Sequence, residues 1–287
     1  FSFGSDGTDG PTDAAGGYCD NETQKVLEDE NIDIVYIATP HNSHYEIMKD
    51  ALLHDKHVFC EKAITLNSTE LDECVKIAKE RNLVISDGVT LFHMPLFKEL
   101  KKVISSNSLG PVKMIQVNFG SFKEYDVNNR FFNPNLAGGA LLDIGVYAVS
   151  FARWFMASKP NTVLTTMTPF ETGVDESSGI LLQNKEMEIA TISLTMRAKQ
   201  PKRGLVACEN GYIEVYNFPR ADKATITYTS DGHTEEIVCG ESGLALNYEI
   251  RDMEEYVSSL NGQTNLQCIQ DVMDVLTQVQ QAWGKYE

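Results

Sequence analysis

The chain has 287 residues, 42% of them hydrophobic, and is therefore long enough to bury one large core or two ordinary ones. Its 41 acidic residues outnumber its 24 basic residues, so the formal net charge is −17 and the surface repels anionic polymers and lipids. Nucleic acids and membranes are thereby excluded as expected partners, and no apolar run in the sequence approaches the roughly 20 residues that a membrane-spanning helix needs.

Residues 1–17 are rich in Gly, Asp, Ser and Thr and have no hydrophobic period, a composition that predicts a loop. From Tyr18 onward, helical patterns alternate with short apolar runs of strand length. The predicted helices are 23–30, 43–54, 71–81 and 95–105, and the predicted strands are 32–39, 57–60 and 83–86. This alternation is typical of βαβ units and predicts a parallel, doubly wound sheet.

After the turn signal Leu109-Gly110-Pro111, the apolar residues alternate with a period of two. The stretches with this period are 112–120, 163–167, 179–182, 189–196, 212–216, 224–228 and 235–239. Helices are predicted at 140–156, 248–260 and 272–281. The pattern predicts an α+β domain over residues 111–287 with a large open, mainly antiparallel sheet, and we expect the last helix to pack back on the first domain, residues 1–110.

The six cysteines are scattered along the chain without CxxC pairs or the spacing of a zinc site. Disulfide frameworks are typical of secreted proteins, so this scatter predicts reduced thiols and a cytoplasmic protein. No basic segment followed by an apolar core opens the sequence, and neither a secretion signal nor a metal site is expected.

The first informative motif is the run 38–44, ATPHNSH, at the carboxyl end of the apolar strand 32–39. Ligands of open α/β sheets bind outside the carboxyl ends of the strands, so this run is placed to contact a dinucleotide. An ordinary loop, in which Asn42 or Ser43 caps the following helix, accounts for the same residues.

The second motif is the pair Glu61-Lys62, which also follows a strand. A lysine at the edge of a partly desolvated site can donate hydrogen bonds to a substrate oxygen, and its charge lowers the pKa of a neighbouring acid. A solvated surface pair is the alternative interpretation.

The third motif is the run 130–147, RFFNPNLAGGALLDIGVY. Asp143 and Tyr147 are four residues apart and therefore share one helical face, so an acid and a phenol point the same way. The alternative is a half-buried Tyr147 whose hydroxyl is satisfied by Asp143.

In order and spacing, these three motifs resemble the Gfo/Idh/MocA family of oxidoreductases, and the resemblance covers residue 20 to the carboxyl terminus. Tyr147, where many members have histidine, and the run 171–175, ETGVD, resemble the branch with dimeric dihydrodiol dehydrogenase and NADP-dependent D-xylose dehydrogenase. The resemblance implies a Rossmann-type domain for NAD or NADP and a domain that covers the substrate site and forms a homodimer or higher homo-oligomer. It implies hydride transfer between nicotinamide and a hydroxyl or carbonyl of a sugar, polyol or cyclic diol.

The resemblance also implies roles for single residues. Lys62 would contact the nicotinamide ribose and the substrate, Asp143 would orient the substrate hydroxyl, and Tyr147 would be the general acid and base. A phenol has an ordinary pKa of about 10, so we expect the charge of Lys62 to lower it. The expected cofactor-binding residues are Ala38, Thr39, Pro40, His44, Glu61 and Lys62. The expected substrate-binding residues are Phe92, His93, Arg130 and Asp143.

Two features depart from the family pattern. Ala63 stands where the family has a proline after the lysine, and the sequence lacks the GxGxxG run with its strand and helix, so the first βαβ unit is missing. We expect this unit to be omitted from the chain rather than absent from the protein, because its loss would expose the apolar faces of a parallel sheet. The rival hypotheses are a ligand-sensing regulatory protein on the same fold, and an NAD-dependent glycosidase or epimerase.

Overall fold

The computed structural model describes residues 2–4, 21–259 and 265–286. Its first sheet is parallel and four-stranded, in the order β1-β2-β3-β4. These strands are β1 (Ser2–Gly4), β2 (Ile34–Ala38), β3 (His57–Cys60) and β4 (Ile85–Asp87). The helices that accompany the sheet are α1 (Asn21–Glu28), α2 (His44–Leu53), α3 (Ser68–Arg81) and α4 (Pro95–Ser105). The predicted α/β half of the fold is confirmed.

The prediction of a loop over residues 1–17 is wrong for Ser2–Gly4, which pairs with β2 in parallel register. A three-residue strand is too short to show a hydrophobic period, and the partner that holds it lies more than 30 residues away along the chain. Residues 5–17 lie outside the described part of the chain. Doubly wound sheets bind dinucleotides at the point where the order of the strands changes direction. Among the described strands of this sheet, the order β1-β2-β3-β4 does not change direction.

The second sheet has eight strands in the order β12-β11-β10-β9-β5-β8-β7-β6. Its strands are β5 (Val112–Gly120), β6 (Pro160–Pro169), β7 (Asp175–Asn184), β8 (Ile189–Thr195), β9 (Gln200–Cys208), β10 (Gly211–Tyr216), β11 (Lys223–Tyr228) and β12 (Thr234–Val238). Among the described strands, only β5 and β8 pair in parallel, so the prediction of a mainly antiparallel sheet is confirmed.

Strand β9 was not predicted, although it occupies the middle of the second sheet. One of its inward positions is Gly204, and the space that a side chain would fill there is taken by the ring of Phe151. The strand therefore lacks an apolar residue at one inward position, and the period of two is lost from the sequence.

Three further helices complete the fold: α5 (Val146–Phe155), α6 (Ala245–Ser259) and α7 (Leu266–Ala282). The predicted helix 140–156 begins as a π-helical turn, Leu141–Gly145, before α5 continues it. By length and composition the stretch Pro134–Phe155 could span a membrane, but 78% of its most apolar window is buried inside the protein, as in a core helix. Helix α7 packs against α5 and α3, and the Ser68 backbone N–H donates to Thr277 Oγ1 at 2.8 Å.

Candidate active site

The carboxyl ends of β2, β3 and β4 form one edge of the parallel sheet, where ligands of such sheets bind. The backbone ladder continues past the strands, because Glu61 N–H donates to Ile37 O and Gly88 N–H donates to Cys60 O, both at 2.8 Å. A Cβ at Gly88 would lie 2.9 Å from Glu61 Oε2, so the absence of a side chain lets the two loops approach closely. The segments that carry the predicted cofactor-binding residues are therefore neighbours in space.

Lys62 and Asp143 form an ion pair between the parallel sheet and the π-helical turn. The ammonium of Lys62 lies 2.9 Å from Asp143 Oδ1 and 2.8 Å from the backbone oxygen of Asp143. Their side chains are only 16% and 11% exposed. Burial raises the pKa of Asp143, but the charges of Lys62 and Arg130 outweigh burial and hold this pKa below its ordinary value. The surface-pair interpretation of Glu61-Lys62 is wrong for Lys62, because its partner is a buried carboxylate of the other sheet's domain.

Tyr147 lies beside this pair, with the Lys62 ammonium 5.2 Å from its ring centroid. The pKa of Tyr147 is raised, first by burial and then by the carboxylates of Glu61 and Glu249. This direction is opposite to the one expected from Lys62 alone. The nearby polar side chain of Thr90 and the charge of Arg220 oppose this rise of the pKa.

His44 joins the loop after β2 to the loop after β3. Its ring nitrogens lie 2.8 Å from the backbone oxygens of Ala63 and Thr39, and its side chain is buried. Burial lowers the pKa of His44, and the two carbonyl contacts oppose this fall. The Lys62–Ala63 peptide bond, which precedes the carbonyl that His44 contacts, is cis.

The other predicted cofactor-binding residues lie along the same edge. Ala38 and Thr39 are half-buried, whereas Pro40 is exposed. Ser43 occupies the position before α2, but its side chain makes no cap hydrogen bond and instead contacts Thr39 Oγ1 at 2.7 Å and Pro40 O at 2.8 Å. The run 38–44 is thus a turn held by its own side chains, and it presents Thr39 and Pro40 outward.

The predicted substrate-binding residues separate into two groups. Arg130 is 54% exposed and its Nη2 lies 3.7 Å from Asp143 Oδ1, which places it at the mouth of the site. Phe92 is buried, with its ring centroid 5.5 Å from that of Trp154. His93 is buried as well, with Nδ1 2.9 Å from Asp252 Oδ2. The structure therefore brings Arg130 to the ion pair and places Phe92 and His93 in the interior behind it.

Several polar residues near Tyr147, Glu61 and the ion pair were not predicted from the sequence. Glu249 on α6 is 2% exposed, and its Oε1 is buried without a hydrogen-bond partner among the described residues. Tyr36 donates its hydroxyl to Glu61 Oε1 at 2.7 Å. His41 is buried, and burial together with the charge of Lys62 lowers its pKa to about 4. Of these, only His41 had a signal in the sequence, because it lies inside the run 38–44.

Asp175, the last residue of the run 171–175, holds the start of the π-helical turn that carries Asp143. Its Oδ2 accepts the Leu141 backbone N–H at 2.7 Å, at the start of the π-helical turn that carries Asp143. Burial raises the pKa of Asp175 to about 6. Gly139 has φ +116, and a Cβ there would overlap Asp175 Oδ1. The run therefore acts on Asp143 through the backbone.

The donor set at this edge fits the nicotinamide end of a dinucleotide. Within the described residues, Asp143 takes two of the three N–H donors of Lys62, and one donor remains for a ribose or substrate oxygen. Thr39 and Pro40 follow β2, and Glu61 and Lys62 follow its neighbour β3, at the carboxyl edge where such ligands bind.

Comparison with known proteins identifies both halves of the chain. Residues 12–89 match a family model described as an oxidoreductase family with an NAD-binding Rossmann fold, and residues 97–214 match the GFO/IDH/MocA C-terminal domain. Among similar proteins, trans-1,2-dihydrobenzene-1,2-diol dehydrogenase of Xenopus laevis is 29% identical over 81% of this chain and 72% of its own length. The Xenopus tropicalis protein of the same name is 30% identical over 67% of this chain and 58% of its length. D-xylose 1-dehydrogenase (NADP(+)) of Hypocrea jecorina is 31% identical over 61% of this chain and 49% of its own length.

Solved structures with the same fold include levoglucosan dehydrogenase in complex with NADH and levoglucosan, with a TM-score of 0.82 and 18% identity over 92% of this chain and 81% of that one. A 3-ketoreductase from Actinomadura kijaniata in complex with NADP and TDP-benzene has a TM-score of 0.79 and 19% identity over 90% of this chain and 80% of that one. The two matched domain models, with the parallel sheet and the open sheet that they describe, show that this chain belongs to the GFO/IDH/MocA family of oxidoreductases.

Proposed function

We propose that this protein catalyses the reversible oxidation of a secondary alcohol in a sugar, polyol or cyclic diol, with NAD or NADP as the hydride carrier. The observation that carries the proposal is the buried ion pair of Lys62 and Asp143 beside the Tyr147 phenol. The names of the relatives, which are diol and xylose dehydrogenases, support the same substrate class.

The roles of the three side chains follow from their charges. The Asp143 carboxylate, kept ionised by Lys62, accepts the hydrogen bond of a substrate hydroxyl and orients its carbon. The remaining donor of Lys62 binds the same substrate oxygen and stabilises negative charge as the proton leaves. In reduction the neutral Tyr147 phenol donates its proton to the substrate oxygen, and in oxidation the Tyr147 phenolate takes that proton back. The partly buried position of Tyr147 keeps bulk water from competing.

Cofactor contacts belong to the exposed edge of the parallel sheet. Thr39, Pro40 and Glu61 would hold the ribose next to the nicotinamide, with Lys62 between this ribose and the substrate. His44 acts through the backbone that it fixes, and Ala38 provides the strand end from which the turn projects.

The test is turnover by the purified protein of trans-diols, aldoses and inositols with NAD and with NADP, followed by the absorbance of the reduced cofactor. We expect Tyr147→Phe to lose at least about 100-fold in kcat, a typical contribution of acid and base catalysis. Tyr45→Phe, which changes a surface tyrosine bound to Glu73, is the matched control. Cofactor binding without turnover would favour the regulatory protein instead, and product formation without net reduced cofactor would favour an epimerase or glycosidase.

We also propose that the open face of the second sheet forms a homodimer. On this face Leu164 pairs directly with Leu181, and their side chains are 61% and 37% exposed. Tyr212 and Met114, 37% and 36% exposed, lie in one row across β9. Exposed apolar patches of this kind mark association surfaces. Light scattering should show a dimer for the parent and a monomer for Leu164→Asp.

The domain boundary and the location of the protein are proposals of the same kind. A boundary near residue 110 is supported by the parallel sheet, which ends before it, and by β5, which begins the second sheet at Val112. A cytoplasmic location is supported by the free thiols of the described cysteines, of which Cys60 and Cys74 are buried. Limited proteolysis tests the boundary, and imaging of a tagged protein tests the location.

A further inference from the structure

Basic residues gather at one end of the second sheet, although the chain carries a net charge of −17. Strands β5 and β8 end here and β9 begins here, because Gly120 pairs with both Thr195 and Gln200. The run 196–203, MRAKQPKR, contains four basic residues and no acidic residue, and Lys123 follows β5 at the same end. The Lys123 backbone N–H donates to a backbone oxygen of this run at 2.8 Å, so the two segments are neighbours.

Three cations of this region form a cluster beside the buried ion pair of the site. The Lys123 ammonium lies 4.1 Å from the ring centroid of Phe131, and the Arg130 guanidinium lies 4.3 Å from the same centroid. Arg197 donates from Nη1 to the backbone oxygen of Lys123 at 2.9 Å. Because Arg130 Nη2 lies 3.7 Å from Asp143 Oδ1, the cluster reaches the mouth of the site.

Lys202 brings a fourth cation close to Tyr147. The Lys202 ammonium lies 4.8 Å from the ring centroid of Phe119, and this centroid lies 6.3 Å from that of Tyr147. Phe119 is buried on the face of the sheet that α5 covers, so Lys202 lies on this covered side and not on the open face. We call the four side chains the cationic rim: Lys123, Arg130, Arg197 and Lys202.

The charge of the cationic rim lacks matching acidic side chains. Within the described ranges, the two lysines of the rim and Arg197 make no ion pair, and the carboxylate that Arg130 approaches is already paired with Lys62. Surface cations elsewhere in the chain do have partners, since Lys49 and Arg81 lie 2.8 Å and 2.6 Å from carboxylate oxygens. Unpaired cations grouped at the mouth of a site attract anionic ligands to it.

We propose that the cationic rim binds an anionic group, a carboxylate or a phosphate, on the substrate sugar, an inference that rests on the proposed oxidoreductase function. The two arginines of the rim present planar forks of N–H donors that match both groups, and the two lysines add positive charge. The anionic group is separate from the hydroxyl that reacts, which binds at Lys62 and Asp143. The rim belongs to the second sheet and the proposed cofactor contacts belong to the parallel sheet, so the substrate carries the anion.

The proposal is tested by kinetics with sugars that differ in charge. One matched set is glucose, glucuronate and glucose 6-phosphate, and a second is galactose, galacturonate and galactose 6-phosphate. In at least one set, kcat/KM should be about 10-fold or more higher for a charged sugar than for the neutral one. Raising the ionic strength from about 0.05 M to about 0.5 M should lower this ratio, because salt screens exposed charges. Neutral sugars used as well as both charged forms would overturn the proposal.

Variants of the rim measure the same ratio of kcat/KM values, charged over neutral. Lys123→Gln, Arg197→Gln and Lys202→Gln should each lower the ratio about threefold, and the triple variant should bring it to about one. Arg81→Gln removes a surface cation that is paired with Asp55, so it is the matched control and should keep the parent ratio. Circular dichroism establishes that each variant is folded. A folded triple variant that keeps the parent ratio would overturn the proposal.

Binding without turnover separates the rim from the proposed function. In calorimetry with glucuronate and with glucose 6-phosphate, the triple variant should bind at least one of them about 10-fold or more weakly than the parent does. The rim is wrong if the parent binds neither compound, or if the triple variant binds them equally well, and turnover of neutral sugars would then leave the proposed function standing. Binding that depends on the rim, without turnover of any sugar, would keep the anion site and contradict the oxidoreductase function. Heparin binding that the triple variant loses, with an unchanged sugar ratio, would overturn the proposal in favour of a polyanionic macromolecule.

Discussion

The Lys62 ammonium donates both to the carboxylate of Asp143, at 2.9 Å, and to the backbone oxygen of the same residue, at 2.8 Å. One cation therefore fixes the side chain and the main chain of an acid that lies 81 residues further along. The pair connects the edge of the parallel sheet to the π-helical turn before α5. Its removal should affect activity, stability and the ionisation of Asp143 together.

Lys62→Met keeps the length of the side chain and removes its charge. We expect kcat/KM to fall about 100-fold or more, because the substrate loses both its cationic donor and an ionised, fixed Asp143. The free energy of unfolding should fall by about 1–3 kcal/mol, since Asp143 stays buried after losing the cation that lies 2.9 Å from it. The pKa of Asp143 should rise. Steady-state kinetics and urea denaturation measure these effects.

Lys49→Met is the control, because Lys49 pairs with Glu73 at 2.8 Å on the surface. Its unfolding free energy should change by no more than about 0.5 kcal/mol, and its activity should match the parent. Equal losses in both variants would contradict the role given to Lys62.

Gly139→Ala should destabilise the protein and lower its activity. The new Cβ would overlap Asp175 Oδ1. The φ angle of +116 is also unfavourable for alanine, so both the contact and the backbone conformation destabilise the variant. We expect a loss of about 3 kcal/mol in unfolding free energy. Gly173→Ala has φ +86 but no atom within 4 Å of the added Cβ, so it should cost only about 1–2 kcal/mol and spare activity. Similar activities for the two variants would show that Asp175 does not hold the turn that carries Asp143.

Gly204→Ala tests the contact between β9 and α5. A Cβ at Gly204 would overlap the Phe151 ring, which is fully buried, so we expect a loss of about 2 kcal/mol or more in thermal or urea unfolding. Gly179→Ala in β7 meets no atom within 4 Å and should be neutral or stabilise by about 0.5 kcal/mol. A tolerated alanine at Gly204 would mean that the helix lies further from the sheet than described.

Glu249 should make stability depend on pH. Its pKa is about 7 in the folded protein and 4.5 ordinarily, so the folded state binds this proton more tightly than the unfolded chain. Ionisation therefore removes stability as pH rises from 4.5 to about 7, and the full loss persists at higher pH. Compared with the parent, Glu249→Gln should gain on the order of 2–3 kcal/mol at about pH 8 and little at about pH 5. Urea denaturation at several pH values measures the difference in unfolding free energy, with Glu255→Gln as control. A difference that stays the same at every pH would contradict the assignment of this pH dependence to Glu249.

Local pattern was enough to predict most of the fold. The strand Ile34–Ala38 is apolar because it is buried in a parallel sheet, and the alternation in β5 marks a sheet with one covered face. Helix α4 has the predicted bounds, Pro95–Ser105, because a proline at its first turn starts it and apolar spacing continues it. Pattern failed at β1, which is too short, and at β9, where Gly204 makes room for Phe151.

The sequence by itself determined the fold class and the family resemblance, because these depend on spacing along the chain. For the same reason it was enough to single out Lys62, Asp143 and Tyr147 as candidate site residues. Only the tertiary structure decided that Asp175 holds the turn of Asp143, that Phe92 and His93 are interior, and that the pKa of Tyr147 is raised. Glu249 lies about 100 residues from Tyr147 along the chain and belongs to another helix. Burial and charge act through space, so no local pattern could place that carboxylate near the phenol.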